Sequence, residues 1–274
     1  MVEAVAVATS PRAAGELLRS WRVRRRLSQL ELASDAEVST RHLSFVETGR
    51  ARPSRELLLH LAEHLEVPLR ERNRLLLAAG YAPAFEHRPL DADAMGPVRA
   101  ALDQLLGSHE PWPALVVDQR WDVVAANRPA LALLSEGVHP ALLGPPVNAL
   151  RVSLHPDGLA PRIANLDQWS AHLLGRLHRQ WALTADPAIA ALLEELSGYP
   201  GVTAAAAPPD AASLLFVPLR LHAFGRELCF FSTVTTFGTP LDVTLDELSV
   251  EAFHPADAAT RAAVEAAFGP GEAG

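Results

Sequence analysis

The chain has no lysine: all 24 of its basic residues are arginine. GC-rich coding bias accounts for this, and the abundance of alanine agrees, whereas phosphate recognition does not explain arginine used everywhere. One cysteine, Cys229, excludes an internal disulfide, and its apolar setting (ELCFFSTV) marks a small core residue. No run approaches the ~20 apolar residues that cross a bilayer. The opening MVEAVAVATSPRAAG lacks the basic start and long apolar stretch of a secretory signal. A cytoplasmic protein with no membrane partner is the expectation. Catalytic signatures are missing as well: there is no GxSxG elbow, P-loop, GxGxxG or paired-cysteine metal site. His60 and His64 stand four apart on a helix but lack the Glu of H-E-x-x-H, and read as a solvated face. No enzyme, catalytic residue, cofactor or metal is expected.

What is present is an ordinary globular composition, 49% apolar and 20% charged, over 274 residues, enough for two domains. Charge is split unevenly. Thirteen Arg against ten acids give residues 1–82 a net +3; eleven Arg against 22 acids give the remainder −11, together the −8 of the whole chain. A mildly basic module on an acidic body fits a DNA-binding head, although an acidic surface also serves solubility.

Residues 28–50, SQLELASDAEVSTRHLSFVETGR, carry the most information. Two short helices are predicted, one from Gln29 and one from Ser39, with a turn near Glu37. Leu32, Ala33, Val38, Leu43 and Val46 are spaced to clamp them together, leaving Gln29, Thr40, Arg41, Ser44 and Phe45 outward. Ser28 with Glu31 makes a capping-box pattern, Ser39 can cap the second helix, and Gly49 can close it with positive φ. Pro53-Ser54 starts another helix, and Pro68 suits a first helical position. A helix-turn-helix that exposes polar residues at the start of its second helix is built to enter the major groove of double-stranded DNA.

Residues 15–80 resemble the Cro/repressor-type, or xenobiotic-response-element, helix-turn-helix domain, a five-helix bundle. LSQLELA, VSTRHLSFVETGR, RPSRELLLHLAEHL and VPLRERNRLLLAAG carry the resemblance. It implies that Gln29 contacts backbone phosphate, that Thr40, Arg41, Ser44 and Phe45 read base edges, and that Arg22 and Glu47 form a buried ion pair. Ser39, Arg50 and Arg52 complete the candidate DNA-binding set, the two arginines lying where phosphates run past the helix. One position departs from the pattern: Glu37 stands where the turn usually has Gly, and positive φ is strained there.

After a Pro- and acid-rich connection the hydrophobic period changes. A helix is predicted from about Ala94 to Gly107, then a hairpin from PALVVD and WDVVAAN split at Gln119-Arg120. RPALALL, LDQWSAHLLGRLHRQWAL and DPAIAALLEELSG have helical spacing, and LLFVPLRLHAF, RELCFFSTVTTF and ELSVEAFHP return to strands. Two strands, a helical middle and three closing strands make an α+β domain on one antiparallel sheet. That order resembles a PAS-like sensor, and more specifically the ligand-binding half of the MmyB-like transcription regulator family. PALVVDQRWDVVAAN, NALRVSLHPDGLAPRIANLDQW and FGTPLDVTLDELSVEAFHPAD carry this resemblance, which with the head spans roughly residues 15–262. It implies an apolar small-molecule effector of fatty-acid type.

The residues themselves offer candidates for a pocket. Trp169, His172, Leu173 and Arg176 share one helix face with Trp181, and their polar tips suit an anionic head group, although plain core packing reads equally well. Arg151 and His155, in an expected loop before Pro156, could also meet a carboxylate. Asn127 is a candidate helix cap. The expected layout is a tail at 1–12, the head at 13–82, a linker at 83–95, a PAS-like domain at 96–262 and a tail at 263–274. Two functions fit: a homodimeric, ligand-controlled transcription regulator, or a DNA-binding adaptor whose acidic body docks a protein without a ligand.

Overall fold

A computed structural model describes residues 10–204 and 216–269. In chain order these form α1 (Pro11–Arg24), α2 (Gln29–Asp35), α3 (Thr40–Glu47), α4 (Arg55–His64), α5 (Leu69–Ala78), α6 (Gly96–His109), β1 (Ala114–Val117), β2 (Val123–Ala126), α7 (Arg128–Ser135), α8 (Ala149–Leu154), α9 (Leu166–Thr184), α10 (Pro187–Ser197), β3 (Leu219–Ala223), β4 (Arg226–Thr236), α11 (Val243–Asp246), β5 (Ser249–Pro255) and α12 (Ala258–Phe268). They divide into two compact units. The first runs up to Arg88 and includes Thr239–Asp246; the second comprises Pro89–Gly238 and everything from Glu247 on.

The first unit is a helical bundle whose helix starts are written in the sequence. Ser10, Ser28, Ser39 and Ser54 each sit at an N-cap and accept a backbone N–H of the first turn. Ser28 and Glu31 complete a capping box, with Ser28 N–H donating to Glu31 Oε2 at 2.6 Å and Glu31 N–H to Ser28 Oγ at 3.1 Å. Leu18, Trp21, Leu32, Leu43, Val46 and Leu61 close the core, each contributing about 1.5–3 kcal/mol by burial. Gly15 lets α1 approach α3, because a Cβ there would lie 2.2 Å from the Val46 carbonyl oxygen.

Helix α5 starts differently. Pro68 occupies its N-cap, one place before the expected first helical position, and provides no side-chain cap. Asp246 supplies the missing acceptor: its Oδ2 receives the Leu69 N–H at 3.0 Å from 177 residues away. The same segment is fastened by Val243 N–H to the Glu86 carbonyl (2.8 Å) and by Arg88 Nη1 to Asp242 Oδ2 (3.1 Å). Residues 83–88, expected in a linker, therefore belong with the head. Asn73 anchors them, accepting the Ala84 and Phe85 N–H groups and donating to the Phe85 carbonyl.

The second unit is α+β, built on one antiparallel five-stranded sheet of order β2-β1-β5-β4-β3. The expected run of two strands, helices and three strands is what the chain forms, although Leu214 and Leu215 of the first closing run lie outside the described residues. Side chains alternate across each strand. On β1 and β5, Ala114, Val116, Val250 and Ala252 face α6 through Leu102 and Leu106. Leu115 and Val117 join the opposite, larger core with Trp169, Leu173 and Leu177 of α9. Asn127 caps α7 and does more. Its side-chain oxygen accepts the Ala114 and Ala130 N–H groups, and its amide donates to Leu106 and Trp112 carbonyls. Helix α12 continues to Phe268 with Val264 buried, so 263–268 are not a tail; 270–274 and 1–9 lie outside the described residues. No helix among the described residues is long and apolar enough to cross a membrane.

Candidate functional site

In the first unit, α2 and α3 form the helix-turn-helix. Glu37 sits in the turn with φ +52°, the left-handed region that favours glycine. The buried face is Leu32, Ala33, Leu43 and Val46. On the other face Arg41 is exposed and its guanidinium lies over the Phe45 ring, 5.3 Å from the centroid, while Thr40 and Ser44 are half-buried beside them. Ser39 is exposed, with its hydroxyl accepting the His42 N–H. Arg50 is exposed and makes no side-chain hydrogen bond or ion pair among the described residues.

Two candidates are engaged within the fold. Gln29 Nε2 donates to Glu47 Oε2 at 2.7 Å, which fixes the amide at the start of α2. Arg52 differs more from its expected phosphate role: Nη2 donates to the Ala79 carbonyl (3.3 Å) and the guanidinium covers the Tyr81 ring. Arg22 and Glu47 form a two-pronged pair, Nε to Oε1 at 2.6 Å and Nη2 to Oε2 at 2.8 Å, and Arg22 Nη1 also donates to the Leu27 carbonyl. The Glu47 hydrogen bond holds the Arg22 guanidinium pKa above its ordinary value.

In the second unit a cavity of about 80 Å³ opens between the sheet and the helices. A single water needs about 10–15 Å³ by this measure, so the space exceeds a packing fault. Leu115 and Val117 of β1, Leu221 of β3, Phe230 of β4 and Leu150 of α8 give it an apolar wall. Trp169 and Leu173 also line it, as do Trp121, Ser153, Glu251 and Phe253. Trp169 Nε1–H donates to Ser153 Oγ at 3.1 Å. Glu251 is 5% exposed and is the one ionisable group of the lining. Both terminal nitrogens of Arg176 bond its carboxylate, Nη1 to Oε2 at 3.2 Å and Nη2 to Oε1. The same guanidinium lies over the Trp121 ring at 4.7 Å. Trp121 itself has φ +66°, strained for so bulky a residue, and Gln180 accepts its Nε1–H at 2.9 Å.

The remaining candidates are not part of this lining. Arg151 lies in α8, not in a loop, and its guanidinium grips Glu195 at 2.8 and 2.7 Å on a half-exposed surface. Tyr199 O–H donates to the same Glu195 at 2.6 Å, and burial with that carboxylate pushes its pKa up to about 12. The Arg151 hydrogen bond holds Glu195 below the usual carboxylate range. His155 packs edge-on to Tyr199. His172 stacks on Trp169, and burial with Arg176 and Arg179 nearby pushes its pKa down. Sequence reasoning missed Glu251. Its signal was the single carboxylate inside the strand SVEAFHP.

A helix-turn-helix with an exposed second helix, joined to a domain with an apolar cavity, defines a DNA-binding transcription regulator with a ligand-binding domain. The model of the MmyB-like transcription regulator ligand binding domain matches residues 98–267, and a helix-turn-helix domain model matches residues 13–75. The chain belongs to the MmyB-like transcription regulator family. No curated protein matches it.

Proposed function

We propose that the protein is a sequence-specific regulator whose grip on DNA is set by an apolar small molecule in the second unit. The cavity carries this reading: about 80 Å³ walled by aliphatic and aromatic side chains, in the domain that matches a ligand-binding family. Arg41 and Phe45, with Thr40 and Ser44, form the base-reading surface, and Arg50 adds phosphate affinity. Trp169 and Leu173 contact the effector directly and Arg176 acts on it through Glu251. An acyl-chain molecule is the class that the family resemblance implies. The regulator works in the cytoplasm as a homodimer, which places half-sites about 34 Å apart.

Chain connectivity supports control of one unit by the other. Strands β4 and β5 both line the cavity, and the eight residues between Gly238 and Glu247 belong to the head. A ligand that favours one arrangement of these strands biases the segment that caps α5, to the extent that its affinity for the two arrangements differs. An adaptor without a ligand has no use for such a cavity. The test is selection of DNA fragments by the purified protein, with and without cell lipid extract. Lipid should change affinity or half-site spacing; if it changes neither, effector control is refuted.

A further inference from the structure

The polar chemistry of the cavity narrows its ligand, and this step rests on the effector reading just given. A free carboxylate entering an apolar cavity needs a cation or several donors to replace its water. The lining holds no basic side chain. Arg176, the guanidinium behind it, is already bound through both terminal nitrogens to Glu251 and is laid on the Trp121 ring. A ligand carboxylate would have to sit beside Glu251, and two carboxylates in one desolvated site cannot both stay ionised. Displacing Glu251 from Arg176 offers no escape, because a carboxylate 5% exposed would lose its ion partner.

A neutral donor meets the opposite situation. An ionised carboxylate has about four lone-pair positions, and Arg176 uses two of them, leaving two for a ligand O–H or N–H. Ser153, whose oxygen accepts from Trp169, still has its own proton to give to a ligand oxygen. A ligand ammonium would place a second cation beside a pair that is already neutral. We propose that the cavity takes an uncharged apolar molecule ending in an alcohol or a primary amide, in preference to a free fatty acid.

The experiment is tryptophan fluorescence titration of the full chain, since Trp121 and Trp169 line the cavity. Octanol, octanamide and octanoate share one chain length and differ in the head group. At neutral pH the alcohol and the amide should bind at least about tenfold more tightly than octanoate. Glu251→Gln should narrow or invert that difference by admitting the carboxylate. If this variant does not fold, the wild-type protein decides alone: lowering the pH from about 7.5 toward about 5 should tighten octanoate relative to octanol, as the acid takes up its proton and becomes a neutral donor. Octanoate binding as well as or better than the alcohol at neutral pH would overturn the neutral-ligand proposal and leave the effector reading standing. No binding by any of the three would remove the effector reading and this proposal with it.

Discussion

Arg22 and Glu47 join α1 to the end of α3 by a paired hydrogen bond of 2.6 and 2.8 Å, with both residues buried. Gln29 donates to the same carboxylate, so Glu47 ties three helices together at the base of the exposed face. Removing one partner of a buried pair leaves the other charge without compensation, at about 3–5 kcal/mol. Glu47→Ala should lower the stability of the head by that amount in urea unfolding. A loss below about 1 kcal/mol, typical of an exposed pair, would show that the pair is not desolvated.

The three arginines near the recognition helix should separate in DNA titrations over a salt series. Arg41→Ala should relax preference at one base position by about 1–3 kcal/mol. Arg50→Ala should weaken all sequences alike and reduce the salt slope by about one. Arg52→Ala should leave that slope nearly unchanged and lower the melting temperature, since its guanidinium holds Ala79 and Tyr81. Equal losses from Arg41→Ala on every sequence would remove it from base reading.

Asp246 acts as the cap that Pro68 does not provide. Asp246→Ala should cost the head about 1 kcal/mol, while Asp246→Asn, which keeps an acceptor, should cost less. Hydrogen exchange of the Leu69 amide reads this directly: faster exchange in the Ala variant is expected, and unchanged exchange would rule the cap out.

Acid should weaken the second unit through its histidines. Burial sets the folded-state pKa of His172 below its unfolded value near 6.5, so the unfolded chain binds the proton first. The stability is therefore fully present above pH 6.5 and is lost as the pH falls through that value toward the folded one. His254, also pushed down by burial, adds in the same direction. Melting temperature should fall between neutral pH and about pH 5, and His172→Gln should flatten part of that fall. An equal pH slope in the variant would assign the effect elsewhere.

The head was legible because its signals are local. Caps at Ser28, Ser39 and Ser54, the left-handed Glu37 and the clamp of Leu32, Leu43 and Val46 all act within a few residues. The strand and helix order of the second unit followed from hydrophobic period for the same reason. Side-chain pairing across the fold was not legible. Helical spacing put Arg176 on the face of Trp169 and Leu173, but only the sheet register that brings Glu251 to that wall reveals its partner. Arg151 looked like a loop cation because nothing near it in sequence announces Glu195, 44 residues on. The Asp246 cap escaped for the same reason.

That cap gives the head an order of assembly. The chain emerges from the ribosome with α1–α5 complete, yet another 150 residues, Pro89–Gly238, precede the segment that finishes the bundle. Until Thr239–Asp246 arrives, the first amide of α5 has no carboxylate to meet. A nascent or truncated head thus lacks one helix cap, worth about 1 kcal/mol, until β1 to β4 of the ligand-binding domain have been made. For the same reason a head transplanted from another sequence would have to find its own answer to the Asp at position 246.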